Sequence, residues 1–190
     1  EKVSKAQRRI ITKDAIFNYC YAVLHDPQYR KKYATNLNRE FPRIPFYSNF
    51  WMWEEWGACL SKLHIDYENS ALYTLGRVDV PDLKARAAGM KPKAILKADQ
   101  KSGKIILDTE TTLSGIPDEA WEYRLGNRSA LEWILDQYKE KKPKDETIRE
   151  KFNAFEFADY KDSVIDLLAR LTNVSVETVR ITKDMNEVVR

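Results

Sequence analysis

The sequence is short of the residues that break chains or staple them. Its 190 residues include 6 Gly, 7 Pro, 2 Cys and 2 His. So little Gly and Pro argues against a long disordered or low-complexity tract. The two cysteines, Cys20 and Cys59, form no CxxC pair, and only His25 and His64 stand beside them, so a disulfide scaffold and a structural zinc site are both unsupported. Each cysteine falls inside an apolar helical pattern, which predicts buried free thiols in a reducing cytoplasm. No apolar run approaches the roughly 18 residues of a membrane span, so a soluble chain with no membrane partner is expected. The net charge is only +3, which excludes a polycation that holds nucleic acid by bulk charge. Catalytic signatures are missing too: there is no GxSxG elbow, no Walker-type loop and no FxGxG-like loop.

What is present suffices for a core. The chain is 43% hydrophobic and 12% aromatic, enough for one large domain or two small ones. It opens Glu1-Lys2-Val3 without an initiator Met, which fits a segment of a longer protein. The first third reads helical. Thr12 is a candidate N-cap for a helix to Leu24 with Ala15, Ile16, Tyr19, Cys20 and Val23 on one face. Asp26-Pro27 supplies a cap and a first-turn proline for a second helix to about Arg39. Ser48 opens a third, to about Glu68, whose Trp53, Trp56, Leu60, Leu63 and Tyr67 form a stripe that reads as core.

The middle third is β-like. Ala71–Val78 suggests a strand, and Ala94–Ala98 with Lys104–Thr109 flank the turn DQKSG; Thr109, Thr111 and Thr112 prolong that composition. Val80–Pro92 reads as a loop with one helical turn at Leu83–Ala88. The last third returns to helix. Asn127 is expected to cap a helix with Leu131, Ile134, Leu135 and Tyr138 on one face, ending at the Lys139–Lys144 charge run. Asp159 precedes another helix with Tyr160, Val164, Leu167, Leu168 and Leu171 aligned, and Ser175 caps a short terminal one. The expected class is α+β: a mainly helical domain with a small antiparallel sheet or hairpin in its middle third. It divides as 1–70 helical, 71–126 β-rich and 127–190 helical.

Two motifs invite an enzymatic reading and lose it on context. DPQY (Asp26–Tyr29) is one residue from the DPPY tetrapeptide of adenine methyltransferases, which grips a flipped base after a strand; here it starts a helix. Pro81-Asp82 with Asp99-Gln100-Lys101 fits a loose PD…(D/E)xK nuclease expression, but Asp99–Gly103 reads as a hairpin turn. The chain looks catalytically empty.

Binding features are stronger. Between Arg77 and Lys104 eight cations face three acids, a local excess of +5 that leaves −2 for the rest. Lys93, Lys97, Lys101 and Lys104 are candidate phosphate clamps, or part of a solvated surface. RLGNRS (Arg124–Ser129) is an irregular turn feeding a helix N-terminus, where backbone amides attract phosphate and Gly126 allows close approach; Ser129 belongs to that end. Arg124 and Arg128 can bind phosphate or guanine, and Asn127 can read adenine or simply cap the helix. Arg43, between Pro42 and Ile44 in the stiff FPRIP loop, either enters a groove or forms a salt bridge with Glu40 or Glu54.

The pieces YAVLHDPQYRKKYA (Tyr21–Ala34), FPRIP (Phe41–Pro45), WEYRLGNRSALEW (Trp121–Trp133) and DYKDSVIDLLARLTNVSVETVR (Asp159–Arg180) together resemble the C-terminal specificity region of single-chain Type ISP restriction-modification enzymes. The resemblance begins near Ile16 and covers most of the chain. It implies a non-catalytic target recognition domain for double-stranded DNA, partnered with the adenine-N6 methyltransferase domain of the same polypeptide in the bacterial cytoplasm. S-adenosylmethionine, ATP and Mg would serve upstream parts, with no cofactor in this segment. Members of the family read different short asymmetric sites, so the base-contacting residues are expected to vary. The rival expectation is a structural coupling domain, which would expose an apolar patch around Phe50–Trp56.

Overall fold

Thr12 starts the first helix: its hydroxyl accepts the Ala15 amide at 3.1 Å, opening α1 (Lys13–His25). The computed structural model describes residues 9–140 and 155–190. They fall into two units, one within 9–66 and 180–190, the other within 67–140 and 155–179. The class is α+β, as the residue patterns predict, with a four-stranded antiparallel sheet amid helices.

In the first unit Ala15, Tyr19, Ala22 and Val23 give α1 its buried face, while Ile16 is 51% exposed, against expectation. The face packs on α4 (Phe50–Ile65), whose Trp53 and Leu60 are fully buried. Gly57 allows this approach: a Cβ there would lie 1.7 Å from the Asn18 carbonyl oxygen. Asp26 ends α1 and caps α2 (Pro27–Lys32) by accepting the Gln28 amide at 3.0 Å. DPQY is thus a helix start. The single helix expected to Arg39 breaks at Tyr33 into α2 and α3 (Ala34–Leu37). Thr35, Asn36 and Asn38 have low helix propensity, which fits the weak helix there. Ser48 does not open α4; Asn49 precedes it in the left-handed conformation, φ 60°, which asparagine tolerates. Cys20 and Cys59 are free thiols, but neither is buried as expected: Cys20 is half-buried, and Cys59 is exposed, one residue off the buried Trp53–Gly57–Leu60 stripe.

In the second unit the strands β1 (Gly76–Asp79), β2 (Ala94–Asp99), β3 (Lys104–Asp108) and β4 (Thr111–Ser114) are ordered β1-β4-β3-β2, with every pairing antiparallel. The predicted strand over Ala71–Val78 shrinks to β1, because Tyr73 donates its amide to the Ala169 carbonyl instead of a sheet neighbour. α5 (Leu83–Ala87) is the expected turn, capped by Asp82. One face of the sheet buries Leu96, Ile105, Leu107 and Leu113. That layer is covered by Ala120 and Trp121 of α6 (Asp118–Glu122), by Leu131 and Leu135 of α7 (Ala130–Gln137), and by Phe157. Val164, Leu168 and Leu171 complete it from α8 (Lys161–Asn186).

Helix α8 corrects two expectations. It runs unbroken through Ser175, which is buried in mid-helix with its hydroxyl unpartnered among the described residues, so Ser175 is no cap. Buried Val164, Leu168, Leu171, Val174, Ile181 and Met185 sustain the period that carries it across. Tyr160, expected on the apolar face, precedes the helix and is 49% exposed. Most of the Lys139–Lys144 run lies outside the described residues.

Two outcomes test this account. Gly57→Ala should lower the unfolding free energy by about 1–3 kcal/mol, the range for overpacking, in a urea titration; the clash is with backbone, so little relief is available. The chain's two histidines sit together in the first unit, ring centroids 5.3 Å apart, with Tyr21 Oη 2.8 Å from His64 Nδ1. Burial, then the neighbouring His25, pushes His64 down to about 4; burial above all lowers His25. Folded pKa values below the unfolded value mean stability is full above about pH 6.5 and is lost as pH falls toward 4. His64→Gln should flatten the pH dependence of unfolding in that window, and an unchanged slope would contradict the assignment.

Candidate nucleic-acid interface

Two short strands, β5 (Arg124–Leu125) and β6 (Arg128–Ser129), pair antiparallel with Arg124 opposite Ser129 and Leu125 opposite Arg128. Gly126 and Asn127 form the two-residue loop, and Gly126 has φ 70°. A left-handed first position followed by an ordinary second one is what a II′ hairpin loop requires. A Cβ at Gly126 would meet nothing within 4 Å, so the backbone there is open to an approaching partner. The hairpin is fastened to α7 by its backbone: the Trp133 indole donates to the Leu125 carbonyl at 3.0 Å, and Ala130 N–H to Tyr123 O at 3.2 Å.

The helix cap is not Asn127. Ser129, fully buried, caps α7 in a reciprocal box: Glu132 N–H donates to Ser129 Oγ at 3.3 Å, and Ser129 N–H to Glu132 Oε2 at 2.8 Å. Ser129 satisfies the helix end better because its backbone already leaves the hairpin in extended conformation. This releases Asn127 at the exposed tip and removes Ser129 from the solvent-facing candidates. The two arginines have local partners. Arg124 donates to the Asn127 carbonyl, and Arg128 pairs with Asp136 at 2.9 Å, its side chain 45% exposed. Lys139, then Arg128, holds the Asp136 carboxyl below its usual range. So exposed a pair gains little over water and can be exchanged for a phosphate.

The lysines divide by position. Register places Lys97 beside Ile106 and Thr112, and Lys104 between Asp99 and Ser114. Both therefore stand on the sheet face opposite Ile105 and Leu113, away from the buried layer. Lys101 is exposed in the turn Gln100–Ser102, and Gln100 donates to Glu132 at 3.0 Å, bringing that turn beside the start of α7. Lys93, at the far end of β2, is exposed but apart from the others. Of the eight cations between Arg77 and Lys104, three are neutralised internally: Arg77 by Asp79 and Asp162, Arg86 by Glu110, Lys91 by Glu156 and Asp159. Lys84, Lys93, Lys97, Lys101 and Lys104 stand outside every ion pair among the described residues. Asp82 caps α5 and Asp99 accepts the Ser102 hydroxyl, so the acids of the nuclease-like expression serve local turns.

Arg43 belongs to the first unit. It pairs loosely with Glu40 at 3.8 Å and is 93% exposed, while Glu54 is taken by Asn18 at 2.9 Å. The hydrogen bonds that stiffen its loop come from Tyr19, which the sequence shows as a member of a helical stripe, and from Tyr29, which it shows as the end of DPQY.

The second unit thus presents a lysine-bearing sheet face and an Arg-Leu-Gly-Asn-Arg hairpin. A family model described as the Type ISP C-terminal specificity domain matches residues 1–167. No match emerges among curated proteins. Among solved structures, a DrdV–DNA complex is 55% identical with a TM-score of 0.88, covering 94% of this chain and 18% of that one. A nuclease-deletion mutant of the Type ISP restriction-modification enzyme LlaGI, with a DNA substrate mimic, is 31% identical with a TM-score of 0.71, over 93% and 16% of the two chains. The ATP-dependent Type ISP enzyme LlaBIII, bound to DNA, is 26% identical with a TM-score of 0.72, over 94% and 11%. The chain therefore spans less than a fifth of each of these proteins. It belongs to the Type ISP C-terminal specificity domain family.

Proposed function

We propose that this chain recognises a short sequence in duplex DNA, as the non-catalytic target recognition part of a larger restriction-modification polypeptide in the bacterial cytoplasm. The observation that carries the reading is the match, at 55% identity and over 94% of the chain, to a protein solved as a DNA complex. Lys97, Lys101 and Lys104 hold phosphates and set the register, with Lys93 adding a more distant contact. Arg124, Asn127 and Arg128 are presented at the hairpin tip, where guanine and adenine edges can be read. Arg43 contributes from the first unit.

Adenine methylation, translocation and cleavage would lie in other parts of the polypeptide, with S-adenosylmethionine, ATP and Mg held there. Among the described residues no group of three His, Cys, Asp or Glu side chains is placed to hold a metal ion. No helix among the described residues is long and apolar enough to cross a membrane. The coupling alternative calls for an exposed apolar patch, for instance part of the Phe50–Trp56 cluster; there Trp53 is buried and Phe50, Trp51, Met52 and Trp56 are partly accessible.

Selection from a randomised duplex pool, followed by a salt titration, tests the reading. Enrichment of one asymmetric site with a clear salt slope is expected; no binding at low salt would remove the function. Arg124→Ala and Arg128→Ala should each weaken the selected site by about 1–3 kcal/mol while leaving random duplexes nearly unaffected, if they read bases. Equal loss on every sequence, with a shallower slope, would make them phosphate contacts.

A further inference from the structure

The first unit carries an exposed feature that the lysine face and the RLGNRS hairpin do not explain. Phe41 and Phe46 are 96% and 97% exposed, and the side chain of Arg43 between them is 93% exposed. Isolated surface apolars are ordinary; two whole phenylalanine rings flanking an arginine within six residues are not.

The loop that bears them is built to hold still. Pro42 and Pro45 fix two of its backbone torsions. Tyr29 Oη donates to the Arg43 carbonyl at 2.9 Å and Tyr19 Oη to the Pro45 carbonyl at 2.7 Å. The Tyr47 amide returns a bond to Tyr19 Oη at 2.7 Å, and Tyr47 Oη donates to buried Asp26 at 3.0 Å. Ile44 and Tyr47 pack inward on the core of this unit, so the same short segment alternates anchors with free side chains. A recess of about 520 Å³, lined in part by Tyr33, Asn36, Leu37 and Phe41, sets the loop off from the helices behind it.

Charge chooses the partner. Residues 27–47 hold Arg30, Lys31, Lys32, Arg39 and Arg43 against the single acid Glu40, and all six are exposed. Phenylalanine and arginine also suit a protein–protein interface, but lysine is depleted there, whereas apolar wedges with arginines and lysines around them are how proteins enter and unstack DNA. We propose that the Phe41–Phe46 loop is a preformed insertion element for duplex DNA. Its phenylalanine rings stack on bases at an opened step, and Arg43 lies in the groove between them. This rests on the DNA-recognition reading and adds to it a mechanical role: the loop distorts the duplex that it enters. Because the loop is already ordered, little conformational freedom is lost when it engages.

The test uses the 190-residue chain and duplexes of the selected sequence carrying 2-aminopurine at successive positions. If no sequence is enriched, random duplexes at low salt take their place. Binding should raise fluorescence at one or two steps, where the probe loses its stacked neighbour. Phe41→Ala and Phe46→Ala should each lower affinity by about tenfold and suppress that rise. Their melting temperatures should match the parent, because neither ring is packed. Phe41→Trp should retain the rise. DNA binding without a rise at any step, or alanine variants with unchanged affinity and fluorescence, would overturn insertion and leave DNA recognition standing. Alanine variants that bind DNA normally but lose affinity for the methyltransferase domain would reassign the loop to protein docking. Absence of all DNA binding would remove both readings.

Discussion

The first unit depends on one buried carboxylate. Asp26 has no exposed surface, yet it ends α1, caps α2, accepts the Tyr47 hydroxyl and receives the Arg190 guanidinium through two nitrogens. Burial alone would raise its pKa; the Arg190 and Gln28 hydrogen bonds and Tyr47 outweigh that and hold it below the usual carboxylate range. Arg190 in turn donates to the Val188 and Met185 carbonyls and lies 5.7 Å from the Trp53 ring centroid. A charge so enclosed is tolerable only when every lone pair is satisfied; stripping away one partner typically costs about 3–5 kcal/mol. Helix direction, the proline loop and the residues near Arg190 are therefore not independent choices. They meet at two oxygens.

The second unit repeats the device with different parts. Asp108, 3% exposed, accepts the Glu110 and Thr111 amides at 2.8 and 2.7 Å, shaping the turn from β3 to β4, while Lys161 closes on its other oxygen at 2.7 Å. The turn and the first residue of α8 are thereby fixed together. Structural electrostatics of this kind explain why composition is a poor guide to an anion-binding surface. The segment from Arg77 to Lys104 is strongly cationic in sequence. Yet Arg77, Arg86 and Lys91 are held by Asp162, Glu110 and Glu156 from more distant sequence. What remains for a phosphate is the lysine set.

Local signals in the sequence were readable where the competing forces were local. The Thr12 cap, the Asp26-Pro27 helix start and the DQKSG turn need only their own neighbours, and each stands where pattern places it. The errors arise where tertiary partners decide. Ala71–Leu75 leaves the sheet because Ala169 offers Tyr73 a partner. Ser175, a good cap by chemistry, is carried through by a buried stripe that keeps its period. In the candidate interface, RLGNRS was legible as a special turn, but not as a hairpin, since Ser129 and Asn127 are both competent caps and only the pairing of Leu125 with Arg128 selects between them. The tyrosine bonds that order the 41–47 loop link residues up to 28 positions apart, and no spacing rule announces them.

The hairpin also separates what the fold needs from what a reader would use. Its shape rests on the φ of Gly126, the Ser129 cap and the carbonyl of Leu125 that receives Trp133. The side chains at 124, 125, 127 and 128 are exposed and enter none of these. Arg124 donates to the Asn127 carbonyl of the loop and sits near Glu132, and Arg128 pairs with the half-buried Asp136. Substitution there changes side-chain chemistry at the tip and loses at most one local contact of each arginine, whereas substitution at Gly126 or Ser129 strikes the backbone. The same division holds in the first unit, where the Arg43 and Pro45 carbonyls are anchored and the Arg43 and Phe46 side chains are free. On the proposed reading, such a domain can acquire a new target sequence by changing exposed side chains alone. Rigid backbone and free side chain at one residue is the property that makes this possible.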